Sequence, residues 1–280
     1  MSAFTLTISV PTGNPNDLKV VEVSNWVGRG LFFARKPSEA VKSSGLSQSG
    51  VYLLTGEALE GDVSEQIYIG ESENVYDRLR THERKPELDF WTKTYCFTTS
   101  NNSLNKGHLR YMESELIRRA RDSATWSVVN ANAPTATPLA KSDEITARSY
   151  LDTMFQVATI MGITAFDQPR TLGGDQLHLV GPDAKAIGEA QDGGFLVFAG
   201  SLARMSETKT LQDSVRDLRK RLLRDGRFIT EGKSLRLTHD HLFPSPSTAA
   251  AVFLARSANG RTEWKNSLGV TLKDIQLADS

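Results

Sequence analysis

The chain has 280 residues, of which 39% are hydrophobic and 24% charged, with 33 Lys and Arg balanced by 33 Asp and Glu. That is the composition of a globular protein with room for one large domain or two to three small ones. Its longest apolar runs fall far short of the roughly 18 residues a membrane span requires, and MSAFTLTISV at the start lacks the basic-then-apolar order of a secretion signal, so a cytoplasmic protein with no membrane partner is expected.

In chain order, Phe4, Leu6, Ile8 and Val10 alternate with other residues, PTGNPND supplies turn formers, and LKVVEVSNW reads as a second strand. A hairpin is predicted there. A short helix and a Ser/Gly loop follow over residues 35–49. From Gly50 to about Pro134 the pattern reads strand, loop, strand, helix, strand, helix. The stretch ANAPTATPLAKSD has a linker composition, after which Ser142 caps a predicted helix running to about Gly162, with Leu151, Met154, Phe155, Ala158 and Met161 on one face. The remainder reads as α+β. GGFLVFAG is a buried strand, Leu211, Val215, Leu218 and Leu222 repeat at helical spacing up to Gly226, RFITEGKSLRL forms a hairpin, and Ser245 with Pro246 opens a further helix. The predicted organisation is therefore a β-rich extension over 1–49, a central domain over 50–135, and a linker helix with a carboxy-terminal α+β domain over 136–280.

The lone cysteine, Cys96, rules out an intramolecular disulfide and a thiol-rich metal cluster, and it reads as a small buried side chain. His239 and His241 alternate on a strand and point to opposite sides, which argues against a shared metal. Charge is unevenly distributed although it sums to zero. Residues 201–265 hold 13 Lys and Arg against 7 Asp and Glu, whereas residues 50–132 hold 10 against 13. The candidate surface for a polyanion is thus the outer side of the 211–225 helix, with Arg216, Arg219, Lys220, Arg221 and Arg224.

Chemistry-bearing residues gather in the central section. Tyr52 lies in GVYLL, and Tyr68 precedes Gly70 in IYIGES, where a missing side chain admits close approach. On the helix that follows, Val75 and Leu79 make the buried stripe, and Arg78 and His82 share the adjacent face. On the next helix Glu113 falls inside the apolar stripe of Leu109, Met112, Leu116, Ile117 and Ala120. A carboxylate there needs a partner, either an arginine or a divalent cation. Packing of the two tyrosines in a hairpin is the alternative to a chemical role.

GVY at 50–52, YIG at 68–70, Arg78, His82, Glu113 and then Asn130 or Asn132 resemble, in order, the GIY-YIG endonuclease superfamily. Valine replaces the middle isoleucine of the first motif, and the loop between the tyrosines is long. The whole chain resembles bacterial proteins that place a β-rich extension before this nuclease domain and a domain of unknown function after it, the latter marked by RSANGRTEWK at 256–265. The resemblance implies a small domain with a central antiparallel sheet flanked by helices and Mg²⁺-dependent hydrolysis of phosphodiester bonds, with Mn²⁺ as a possible substitute. Glu113 would hold the metal and Arg78 the phosphate. Tyr52, its phenol made more acidic by nearby cations, would orient or deprotonate water. Tyr68 would position water or phosphate, His82 would transfer protons, and Asn130 would support the site. Nucleic acid, DNA in particular, is the expected partner. The competing class is a non-catalytic nucleic-acid-binding or assembly module on the same fold.

Overall fold

The computed structural model describes residues 3–36, 39–58, 65–130, 138–167, 176–191 and 193–278. They form a mixed α+β protein divided into two compact units, the first ending at Asp167 and the second holding the elements from Leu177 onward.

The first unit has strands β1 (Leu6–Ser9), β2 (Leu18–Val23), β3 (Gly28–Ala34), β4 (Gly50–Gly56), β5 (Glu65–Ser72), β6 (Lys93–Thr99) and β7 (Trp126–Val128). Its helices are α1 (Glu39–Ser43), α2 (Val75–His82), α3 (Lys106–Asp122) and α4 (Lys141–Ile160). The strands make one sheet in the order β1-β2-β3-β6-β4-β5-β7, antiparallel except for the β5–β7 edge. The predicted hairpin is present, with Leu6 opposite Val23. It is not a separate extension, because β3 pairs along its whole length with β6, from Gly28 opposite Thr99 to Ala34 opposite Lys93.

Central β4 is buried throughout, so its alternate residues serve opposite faces. Val51 and Leu53 belong to one core with Ile67, Ile69 and residues of α3 and α4, while Tyr52 and Leu54 belong to another with Val75, Leu79 and Trp91. Helix α4 puts Ala147, Tyr150, Leu151 and Met154 into the first of these cores. The compact unit therefore runs past the boundary expected at 135. Its sequence break is a composition feature, and the apolar face of α4 is what decides the packing. The cap at Ser142 is also corrected, since α4 starts after Ala140 without a side-chain cap. The linker-like stretch falls largely on 131–137, outside the described residues, as does Asn132.

The second unit has β8 (Leu177–Gly181), β9 (Ala184–Gln191), β10 (Gly194–Val197), β11 (Leu202–Arg204), α5 (Asp213–Arg224), β12 (Phe228–Glu231), β13 (Ser234–Leu237), β14 (His241–Phe243), α6 (Pro246–Leu254), α7 (Gly260–Glu263) and α8 (Leu272–Ala278). Its antiparallel sheet runs β12-β13-β11-β9-β10-β14, with β8 also on β9. Ser245 caps α6 as predicted, its hydroxyl accepting from the Thr248 N–H at 3.1 Å. Trp264 is fully buried, its ring centroid 4.5 Å from that of Phe195. Among the described residues no helix is long and apolar enough to cross a membrane.

Candidate active site

The register of β4 on β5 sets Tyr52 opposite Gly70 and Leu54 opposite Tyr68, so both phenols emerge on the sheet face covered by α2. Gly70 is needed for space: a Cβ there would overlap the Tyr52 hydroxyl. The turn into α2 is written locally. Ser72 Oγ donates to the Asn74 carbonyl at 2.8 Å, the Asn74 side chain caps the helix by accepting from the Asp77 N–H at 3.2 Å, and its amide donates to the Asp77 carboxylate at 2.8 Å. Helical spacing then turns Val75, Leu79 and His82 inward and leaves Arg78 at the exposed edge.

These side chains converge. The Tyr52 hydroxyl lies 2.7 Å from His82 Nε2 and accepts from Arg78 Nε at 3.4 Å. The Tyr52 and Tyr68 rings stack at 6.4 Å, and Tyr68 meets His82 edge-on at 5.2 Å. His82 is fully buried rather than presented beside Arg78, because it ends the inward row begun by Val75. Its Nδ1 is buried without a hydrogen-bond partner among the described residues.

Electrostatics revises one expectation. Burial, reinforced by neighbouring Tyr68, raises the Tyr52 phenol above its ordinary value, and this outweighs the opposing pull of Arg78. Tyr52 is therefore a neutral phenol, not an acidified one. Burial likewise raises Tyr68, against Arg78. The His82 imidazole is lowered to about 4, first by burial and then by the Arg78 and Lys85 charges, so it is neutral at physiological pH. The hydrogen bond to Tyr52 raises Arg78, which keeps its charge.

Glu113 comes from α3 and belongs to the same electrostatic group, since its charge raises both phenols and is opposed by Arg78. It is half-buried, and among the described residues no salt bridge involves it, so the arginine partner considered for it is not found. Burial, and then the charge of Glu71, lifts its carboxyl to about 7. A half-desolvated carboxylate beside a second one is a donor set that fits a divalent cation. Because no group of three or more His, Cys, Asp or Glu suited to a metal occurs among the described residues, water and phosphate oxygens would complete the shell.

Asn130 clamps the strand bearing the second tyrosine: its Oδ1 accepts from the Ile69 N–H at 2.9 Å and its Nδ2 donates to the Ile69 carbonyl at 2.7 Å. Glu71 and Lys106 were not singled out from the sequence. Their ion pair at 2.8 Å adjoins Glu113. The signal was available, because Lys106 precedes Glu113 by seven residues, close to two helical turns.

The predicted basic face of α5 is corrected. Arg219 is buried at 2% exposure; its guanidinium donates to the carbonyls of Val252, Arg204 and Met205 and faces Glu207. It sits on the apolar stripe with Val215, Leu218 and Leu222. Arg216 pairs with Glu207 and Asp213, Lys220 with Asp217 at 3.0 Å, and Arg224 with Asp225 at 3.0 Å.

Residues 177–276 match the family model of a domain of unknown function, DUF4357. The match covers the elements of the second unit from β8 into α8, and the Tyr52–Glu113 group lies outside it. Comparison with curated proteins and with solved structures finds no match for the chain.

Proposed function

We propose that the first unit is a GIY-YIG-type nuclease that hydrolyses phosphodiester bonds in nucleic acid, DNA foremost. The observation that carries this reading is the convergence of Tyr68 and Arg78 on the buried Tyr52–His82 hydrogen bond, with Glu113 in its field from another helix. A purely packed hairpin has no use for a half-buried carboxylate without a salt bridge.

A divalent ion held by Glu113, Mg²⁺ or Mn²⁺, would supply Lewis-acid charge at the phosphodiester and its leaving 3′ oxygen. Arg78, exposed beyond its contact with the Tyr52 phenol, would add fork-like hydrogen bonds to the same phosphate. Tyr52, neutral through burial, takes a proton from an attacking water only as it passes its own to His82 Nε2, which is receptive above about pH 4. Tyr68 fixes the ring of Tyr52 by stacking, and Asn130 holds its strand.

A substrate-holding role for the second unit rests on Arg216, Lys220, Arg221 and Arg224, whose charges would exchange intramolecular partners for phosphates. Arg219 has no part in it.

The test is incubation of the full chain with labelled single-stranded, duplex and branched DNA, first with Mg²⁺ and then with EDTA. Cleavage that needs the metal and is lost in Glu113→Gln is the expected result. Undiminished cleavage by Glu113→Gln overturns the mechanism, and binding of every substrate without cleavage returns the fold to a non-catalytic module.

A further inference from the structure

Lys106 opens α3 on the same face as Glu113. Its ammonium spans both oxygens of the Glu71 carboxylate, 2.8 Å from Oε1 and 2.9 Å from Oε2. Glu71 follows Gly70 on β5 and points to the α3 side of the sheet with Ile67 and Ile69, its side chain only 12% exposed, while that of Lys106 is 40% exposed. The Glu71 charge is also felt at Glu113, where, after burial, it does most to raise the carboxyl. A strand and a helix thus bring two carboxylates together, and an ammonium already occupies one of them.

In a two-ion phosphodiesterase the two metal ions clamp the attacking and leaving oxygens, and carboxylates on separate elements hold those ions. Here a fixed cation stands against one of the two carboxylates. Its side chain is the more open of the two, so an incoming phosphate meets the Lys106 side chain before the largely covered Glu71 beneath it.

We propose that Lys106 is the built-in second cation of this site: it neutralises Glu71, restricts the site to a single divalent ion on Glu113, and presents the positive charge that a second ion would otherwise bring to the phosphodiester. The inference rests on the proposed nuclease reading, in which Glu113 binds the metal. It separates from that reading in its consequences, because it concerns how many ions bind, not whether one does.

The experiment is Mn²⁺ titration of the full chain, followed by electron paramagnetic resonance and by calorimetry, without substrate. Wild type is expected to bind one Mn²⁺ that disappears in Glu113→Gln. Lys106→Met, which keeps the aliphatic stem and deletes the charge, is expected to bind a second Mn²⁺, or the first at least about tenfold more tightly. Lys106→Arg and the double variant Lys106→Met/Glu71→Gln are expected to return to one. Should Lys106→Met fail to fold, Lys106→Gln takes its place with the same expectation. Two ions on the wild type, or one ion of unchanged affinity on the charge-deleted variant, overturn the inference while leaving the nuclease reading standing. No Mn²⁺ on the wild type overturns both.

Discussion

Replacing Glu113 by Gln removes a charge that folding disfavours, and the structure sets the size and pH dependence of the gain. Burial and the neighbouring Glu71 charge move the carboxyl from 4.5 to about 7. At about 1.4 kcal/mol for each pH unit between the two values, the ionised form would destabilise the folded chain by roughly 3 kcal/mol if it were wholly removed from water. The residue is only half-buried, so solvent screening brings the figure to about 1–1.5 kcal/mol. The folded value lies above the unfolded one; the favourable protonated state is therefore fully available below about pH 4.5, and its contribution is lost as pH rises through about 7. Glu113→Gln mimics the protonated state at every pH. In metal-free buffer with EDTA, its first unit should melt about 2–5 °C above wild type at pH 8, with a smaller difference at pH 5.5. Differential scanning calorimetry at the two pH values checks this, alongside the expected loss of metal-dependent cleavage. A destabilised variant at pH 8 would refute the reasoning by showing that Glu113 is held in a stabilising ion pair, and a gain equal at both pH values would refute it by showing that the carboxyl is not raised.

Tyr52→Phe and Arg78→Ala should each lower single-turnover cleavage by about 10²-fold or more while shifting melting little, and unchanged rates would assign the pair to packing. Gly70→Ala pushes a methyl group against the Tyr52 hydroxyl, so it should cost about 1–3 kcal/mol and reduce cleavage as well, and a silent substitution in both assays would contradict the packing described. Arg219→Ala takes the shared donor from three backbone carbonyls while Glu207 keeps Arg216, and denaturant titration should find the second unit weakened by about 1–3 kcal/mol; a stable variant with weakened DNA binding would restore the exposed-surface view. Because His82 is lowered to about 4, the rate at limiting Mg²⁺ should rise with pH through about 7 with Glu113 ionisation, and a limb near 6.5 that vanishes in His82→Gln would mean that the histidine titrates in the working range.

Local signals were sufficient for much of this chain. Alternation and turn residues gave the β1–β2 hairpin, the 3.6-residue period gave α3, α4 and α5, and Ser245 with Pro246 marked the start of α6. The order of Tyr52, Tyr68, Arg78, His82 and Glu113 along the chain likewise sufficed to nominate a site, because each sits at a position fixed by strand alternation or helical spacing. The capping residues of ESENVYD even determine how α2 leaves β5.

What depended on partners remote in sequence was decided only in three dimensions. Whether 1–49 stands apart turned on β3 choosing β6, more than sixty residues away. Composition marks ANAPTATPLAKSD, residues 131–143, as a break, yet α4 joins the first unit because its apolar face packs on β3 and enters the core that holds Val51 and Leu53. Counting charges along α5 could not reveal that Arg219 turns inward to carbonyls of distant segments, nor that Arg216, Lys220 and Arg224 have carboxylates beside them. The same holds for proton affinities. A sequence can say that cations are near Tyr52, but the depth of burial, which sets the desolvation term that here exceeds the arginine's pull, is a property of the packed fold. Glu71 and Lys106 belong to this class too, since 35 residues separate an ion pair that only the closure of α3 against β5 creates.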